Sequence, residues 1–250
     1  SNDKLHWEST ATTDIGLDFG FFNNKLTGAM NYYYNQTEEL LITKALPPSA
    51  GLNNPILNVG KIRNSGVEVE INWADSKGGF DYNIGMNFST TKNKVVELAD
   101  KGQVLYGEGL KYGTEHFPTQ TRVGKPIGAF YLYKTNGLFQ SNEEARQYVN
   151  ADGDEYQPFA DAGDIRFVDV NGDGSIDDDD KVYCGSGIPT LEVNLNFSAG
   201  YKGFDLSVVL GSAWGHKIYN GNKYFYEGMN SGSNFLTSSL NAWTPQNTNT

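Results

Sequence analysis

Leu191-Glu192-Val193-Asn194-Leu195-Asn196-Phe197-Ser198-Ala199-Gly200-Tyr201 is followed by Lys202-Gly203, and then by Phe204-Asp205-Leu206-Ser207-Val208 with Leu210 continuing the second run. Apolar residues recur at every second position, and those between are small or polar. Successive side chains reach opposite faces only in an extended chain, so the pattern predicts two β-strands with one apolar face each, joined by a tight turn. Two further pairs read the same way. Ile15, Leu17, Phe19 and Phe21 turn at Asn23-Asn24 into Leu26, Gly28, Met30, Tyr32 and Tyr34; Val67, Val69, Ile71 and Trp73 turn through residues 75–79 into Phe80, Tyr82, Ile84, Met86 and Phe88. Six strands in three tight hairpins result.

These strands run to roughly 10 to 14 residues, longer than the globular mean of about 5 to 6 and enough for the roughly 9 to 11 of a tilted membrane-spanning strand. The connections are lopsided. Each hairpin closes in a few residues at one end, whereas residues 40–61, 94–189 and 215–250 make long connections at the other, the pattern of outer-membrane barrels. The fold class expected is therefore all-β, an antiparallel sheet of long strands forming part of a transmembrane β-barrel. A half-buried sheet of a soluble extracellular module alternates in the same way and is the competing reading.

Composition removes other classes. No run of 18 apolar residues exists, which excludes a helical membrane protein. A formal net charge of -11 argues against nucleic acid, whose phosphates are neutralised by Lys and Arg. Residues 150–180 hold eleven carboxylates against one cation, Arg166, so a single segment owns the acidity. One cysteine, Cys184, and three scattered histidines give neither an internal disulfide nor a zinc framework. No Gly-x-Ser-x-Gly, phosphate-cradling glycine loop or His-Glu-x-x-His is present, and Glu68 and Glu70 lack an apolar pocket that would split their acidities, so an enzyme is not expected.

A connection as long as 94–189 needs internal structure. Ser141-Asn142-Glu143-Glu144 carries a Ser-x-x-Glu capping box and predicts a short helix over 142–149. A weaker helix is expected around 234–243, with extended pieces at 137–139 and 164–170. Between them, Asp169, Asn171, Asp173, Gly174, Ser175, Asp177 and Asp180 fit a calcium-loop spacing, with aspartate at the last position where glutamate is usual. Alternating side-chain oxygens converge on one point only if the chain turns sharply; Gly174 supplies the turn and Ser175 a carbonyl. The expected cofactor is calcium. The competing reading is a solvated Asp/Asn/Gly turn.

Several stretches together resemble one family. Trp7-Glu8-Ser9-Thr10 through Asp18, Leu46-Pro47-Pro48-Ser49-Ala50-Gly51, Asn64-Ser65-Gly66-Val67-Glu68, Val123-Gly124-Lys125-Pro126-Ile127-Gly128, Gly163-Asp164-Ile165-Arg166-Phe167 with the acidic loop, and Trp243-Thr244-Pro245 occur in consistent order nearly end to end. They resemble the C-terminal barrel portion of SusC-like TonB-dependent outer-membrane transporters. The resemblance implies a partial barrel over residues 1–250, about 22 strands when complete, with 94–189 and 215–250 as extracellular loops. It also implies a signal peptide, a β-sandwich, a TonB-contact segment and a plug outside this chain, a SusD-like surface lipoprotein as lid, and glycan fragments or peptides as cargo, in the outer membrane of a Gram-negative bacterium.

Asp18, Asn31, Glu68, Glu70, Asn72, Asn83, Asn87, Asn194 and Asn196 are then expected to form a wall facing the lumen, with the apolar positions facing lipid. Tyr131, Tyr133, Trp214, Tyr224, Phe225 and Tyr226 are candidates to stack on substrate; an interfacial aromatic girdle or loop packing is the alternative role for such residues. The soluble reading, a carbohydrate-binding or adhesin-like module stiffened by calcium, uses the same aromatics.

Overall fold

The computed structural model describes residues 5–43, 56–107, 117–228 and 234–248. β1 (Ser9–Phe21), β2 (Leu26–Thr43), β3 (Ile56–Lys77), β4 (Phe80–Thr90) and β5 (Lys92–Glu97) come first. β6 (Leu105–Tyr106), β7 (Thr119–Thr121), β8 (Ala129–Tyr133) and β9 (Thr135–Leu138) precede helix α1 (Asn142–Gln147). β10 (Ile165–Phe167), β11 (Lys181–Gly185), β12 (Leu191–Tyr201), β13 (Phe204–Trp214) and helix α2 (Gly221–Tyr226) complete the order. Two compact units emerge, Ser1–Ala129 with Gly185–Lys217, and Phe130–Cys184 with Ile218–Thr250. The 94–189 connection is thus shared between both units.

The first unit is an antiparallel sheet in the order β1-β2-β3-β4-β12-β13, with β5 continuing along β3 above β4. Lys202-Gly203 and Gly78-Gly79 take positive φ at both turn residues, the backbone that matches the twist of a two-residue hairpin. The three tight turns lie at one end of the sheet, because Leu26 pairs with Trp73, Lys77 with Phe80, and Phe80 with Tyr201. Antiparallel pairing then sends all three long connections from the opposite end.

Register assigns the faces. Phe19, Gly28, Ile71, Met86, Leu195 and Leu210 form one cross-strand row, flanked by Leu17, Met30, Val69, Phe88 and Val193, and by Phe21, Leu26, Trp73, Ile84, Phe197 and Val208. The other face carries Asp18, Ala29, Glu70, Asn87 and Asn194 in one row and Asn31, Glu68, Ser89 and Glu192 in the next. The expected separation of Tyr32, Val69, Ile84, Leu195 and Leu206 from Glu68, Asn83 and Asn194 is borne out, with no helix over 61–90. Ten residues along β3 separate the row of Lys77 from that of Val67, about 33 Å along the strand and about 25 Å across a membrane at a tilt near 40°. At the turn end Phe80 lies 5.7 Å from Tyr82 and 6.3 Å from Tyr201, and Phe22 lies 6.1 Å from Trp73, forming an aromatic edge to the apolar band.

Two strands outrun the sequence reading. β2 has 18 residues and β3 has 22, and their pairing continues to Thr43 and Ile56, beyond the expected loop start at 40. Glu39, at φ 60, accommodates the irregularity between Thr37 and Leu40, so the ladder resumes instead of ending. Gly66 is needed where Tyr33 crosses it: a Cβ there would collide with the Thr90 carbonyl, and the Tyr33 hydroxyl donates to that same oxygen at 3.2 Å.

The second unit packs around Phe139, Ala145 and Ala160, with Tyr148 against them. Helix α1 starts as expected, Ser141 Oγ accepting from the Glu144 amide at 3.1 Å. The reciprocal bond differs: Glu144 Oε2 accepts from the Gln140 amide, one residue earlier than a capping box places it. The helix ends at Gln147, short of the expected 149, because Val149 bridges to Glu155. The expected extended pieces pair as β9 and β10, with Ile165 opposite Leu138. The helix expected at 234–243 is a 3-10 turn over Thr237–Asn241, and α2 was not foreseen. Gly163, at φ +95, seats the Trp243 ring, whose Nε1 donates to Gln140 Oε1 at 3.2 Å. Two of the stretches that carried the family resemblance therefore meet.

Candidate functional site

The acidic loop is closed by its own backbone. Asp169 accepts from the amides of Gly172 and Gly174 at 2.6 and 2.9 Å and from the Tyr156 hydroxyl at 3.3 Å. Asn171 Oδ1 accepts from the Asp173 amide, and Asp173 Oδ1 from the Ser175 amide, both at 2.9 Å. Asp177 Oδ1 accepts from the Asp179 amide at 2.8 Å. Asp180 is fully buried and spans the loop, taking the Val170 amide at 2.7 Å, the Asn171 amide at 3.4 Å and the Asp177 amide at 2.8 Å. Gly174 makes the expected turn at φ +90, and its carbonyl accepts from Asn150 Nδ2 at 3.0 Å. Among the described residues no three His, Cys, Asp or Glu side chains are gathered as a metal-ligand group. The donor types of a calcium loop are all present, and in this conformation its first and last aspartates serve backbone N–H groups.

Packing beneath the loop fixes its charge. Lys181, almost fully buried, places Nζ 2.6 Å from Asp178 Oδ1 and 5.1 Å from the centre of the Tyr133 ring. Arg166, the cation within the acidic segment, binds Glu144 at 2.6 Å and donates from Nε to the Asn136 carbonyl at 3.0 Å. Burial, together with the Asp178 carboxylate, pushes the Tyr133 phenol up to about 12. Burial alone pushes the Asp169 carboxyl up, but the Gly174 and Gly172 amides outweigh it and hold the group below its ordinary value. The two signs are opposite. Tyr133 keeps its proton longer folded than unfolded, so its contribution is complete below pH ~10 and lost as pH rises towards 12. Asp169 contributes above the usual carboxylate range and loses that contribution as pH falls through its lowered value. Difference absorbance titration of the wild type against Tyr133→Phe is expected to assign a phenolate appearing near 12; one appearing near 10 means that the packing against Asp178 is not kept in solution.

The aromatic candidates do not form one platform. Tyr131 is 5% exposed, edge-on to Tyr183 at 5.9 Å, and Tyr133 packs on Phe167 at 5.3 Å. Both are used inside the second unit. Tyr224 and Phe225 meet at 5.3 Å on α2, which also carries the half-exposed Tyr226. Trp214 lies in the row of Thr90 and Leu191 on the apolar face, at the end away from the tight turns. That is the place of an interfacial aromatic, the alternative role considered for it. A hollow of about 890 Å³ at the turn end of the sheet, where Lys25, Asp75, Asp81 and Asp205 meet Tyr82 and Leu206, was not foreseen. No spacing in the sequence brings these residues together; only the register does.

Comparison with known proteins gives a family. The model described as TonB dependent receptor-like, β-barrel matches residues 1–244. The chain is 32% identical to TonB-dependent receptor P3 of Formosa agariphila over 252 residues, covering 100% of this chain and 24% of that protein. TonB-dependent receptor SusC of Bacteroides thetaiotaomicron is 26% identical, with 96% of this chain and 22% of that protein covered. The chain spans about a quarter of the length of the curated relatives it matches. Among solved structures, one described as the RagAB peptide transporter superposes with a TM-score of 0.74 at 22% identity, covering 100% of this chain and 26% of that one. The RagAB peptide importer in its "open-open" state gives 0.72, also at 22% identity.

Proposed function

The chain belongs to the TonB-dependent receptor-like β-barrel family, proteins of the Gram-negative outer membrane, and from that premise we propose that it is the part of a SusC-like transporter that supplies barrel wall and cargo-facing loops. The observation that supports this most directly is the sheet itself. One face is apolar over about 25 Å with aromatic rows at its edges, the height of a lipid-facing band, while the other carries Asp18, Asn31, Glu68, Glu70, Asn72, Asn83, Asn87, Asn194 and Asn196. Family membership sets aside the soluble carbohydrate-binding module. The cargo proposed is glycan fragments, with peptides second, imported beneath a SusD-like lipoprotein and driven by TonB through a plug.

In this reading the tight turns are periplasmic and the three long connections extracellular. Residues 94–189 and 215–250 then provide the surface on which a lid docks. Their internal hydrogen bonds and the Asp180 and Arg166 clasps support such a role, because a surface already ordered loses little entropy on binding. A notch of about 450 Å³ between Gln157 and Phe167, edged by Phe159 at 93% exposure, offers that surface an apolar contact. Calcium belongs to the same proposal: bound by Asp169, Asn171, Asp173, the Ser175 carbonyl, Asp177 and Asp180, it would neutralise the loop's carboxylates and stiffen it further. Deleting residues 140–182 from the complete transporter is expected to leave barrel insertion intact, checked by heat-modifiable mobility, while co-purification of the lid and cargo uptake fall to background. Unchanged lid binding and uptake would reduce these loops to a shield over the barrel mouth.

A further inference from the structure

The apolar face of the sheet continues past its last apolar row into a cationic one. Beyond Ile15, Tyr32 and Val67, the same face carries Thr13, Tyr34, Ser65 and Lys92, and then Ala11, Gln36, Arg63 and Lys94. The register from β4 into β5 does not slip, since Glu68 pairs with Ser89 and Ser65 with Lys92 at one constant offset, so Lys92 and Lys94 share the face of Met86 and Phe88. Neighbouring strands lie about 4.8 Å apart, and alternate residues of a strand about 6.7 Å. Arg63, Lys92 and Lys94 therefore converge within reach of one small anion.

Their charges are not spent inside the protein. Lys61, the next cation along β3, is bound to Glu38 at 3.0 Å and lies opposite Glu97. Arg63, Lys92 and Lys94 have no carboxylate partner among the described residues, and both lysines are exposed. Arg63 is instead positioned: its guanidinium lies 5.1 Å over the Tyr34 ring, Nη2 donates to Gln36 Oε1 at 3.5 Å, and its buried Nε has no protein acceptor. A guanidinium held this way offers a planar fork to an incoming oxyanion. Trp214, 62% exposed in the row just below, marks the depth as that of an interfacial aromatic.

We propose that Arg63, Lys92 and Lys94 form a binding site for the phosphate of an anionic glycolipid in the outer leaflet. This rests on the orientation given above, in which the β5 end of the sheet is extracellular. The site faces lipid, so its ligand is neither cargo nor lid, and its chemistry is that of a headgroup phosphate above an apolar wall. Each cation at such a surface is worth roughly fivefold in binding. Thr13 and Ser65 add hydroxyl donors beside the cations.

The test uses the complete transporter in phosphatidylcholine vesicles and native mass spectrometry of the lipids it retains. Bisphosphorylated lipid A is expected to be retained by the wild type, and R63Q/K92Q/K94Q to retain about a hundredfold less, with barrel insertion unchanged. Dephosphorylated lipid A is expected to be retained poorly by both. Equal retention of the two lipids by the wild type, undiminished retention by the triple variant, or displacement by millimolar inorganic phosphate would each overturn the site. Labelling of K94C in a C184S background, where the exposed native cysteine is gone, in whole cells with a membrane-impermeant thiol reagent separates this from a failed orientation. A cysteine reached from outside, with no lipid effect, overturns the lipid site alone, and one reached only from the periplasm overturns both.

Discussion

Leu195→Arg in the complete transporter is expected to lower folding stability in lipid vesicles by about 2–4 kcal/mol, the cost of a charge at the bilayer midplane on the lipid face. Leu195 stands in the row of Ile71, Met86 and Leu210, midway between the aromatic turn end and the Tyr32–Val67 row. One residue further, Asn196 pairs with Gly85 on the polar face, and Asn196→Arg is expected to stay within about 0.5 kcal/mol because its charge meets lumenal water. Phe204→Arg supplies the depth control. Phe204 pairs with Tyr201 six residues from Leu195 along β12, roughly 20 Å along the strand. A charge there reaches the interface and costs about 0–1 kcal/mol. Denaturant titrations followed by tryptophan fluorescence measure all three. Equal penalties for Leu195→Arg and Asn196→Arg would mean that both faces see the same medium, and the lipid-facing assignment would be lost.

That contrast between adjacent residues was legible in the sequence because period-two alternation is a local property, written along β4 and β12 and broken in β13 at Val209, which pairs with Asn196 on the polar face. The ends of β2 and β3 were not, since Asn35 to Glu39 is a polar run that reads as loop, and only the irregularity at Glu39 lets pairing resume. Helix α1 announced itself through Ser141 and Glu144, whereas α2 follows Asn220, which makes no side-chain cap, and opens on a glycine. The composition of the acidic loop was plain, but not the partners of its groups. Asp180 turns back on amides three to ten residues before it, and Lys181 lodges between Asp178 and Tyr133, a residue of β8 remote in sequence. Arg63 and Lys94 are likewise neighbours only once register is known. The same holds for Tyr131 and Trp214: an aromatic side chain is equally suited to a core, a membrane interface and a ligand, and only position places Tyr131 in a packed interior and Trp214 exposed at the end of the apolar face.

Asp180→Ala is expected to open the acidic loop whether or not calcium is present. The substitution removes, from a position with no exposure, the carboxylate that accepts from the part-buried Val170, Asn171 and Asp177 amides, and hydrogen bonds to a charged group contribute about 1.5–3 kcal/mol each. A loss of roughly 3 kcal/mol or more is expected in the local opening free energy, read as faster hydrogen exchange at Val170 and Asp177. Asp173→Ala is the informative partner. Asp173 is exposed and accepts only from the Ser175 amide and Asn171 Nδ2, so in chelator its loss is expected to cost under about 1 kcal/mol, water replacing both bonds. In millimolar calcium the proposal gives a different outcome. The wild-type loop is expected to gain protection from exchange and proteolysis, and Asp173→Ala to lose that gain, because a loop ligand contributes only when an ion is held. A wild-type loop that exchanges equally in calcium and in chelator would remove the ion from the proposal, and the Asp180 amide network with Lys181 would then account for the stiffness of the loop by itself.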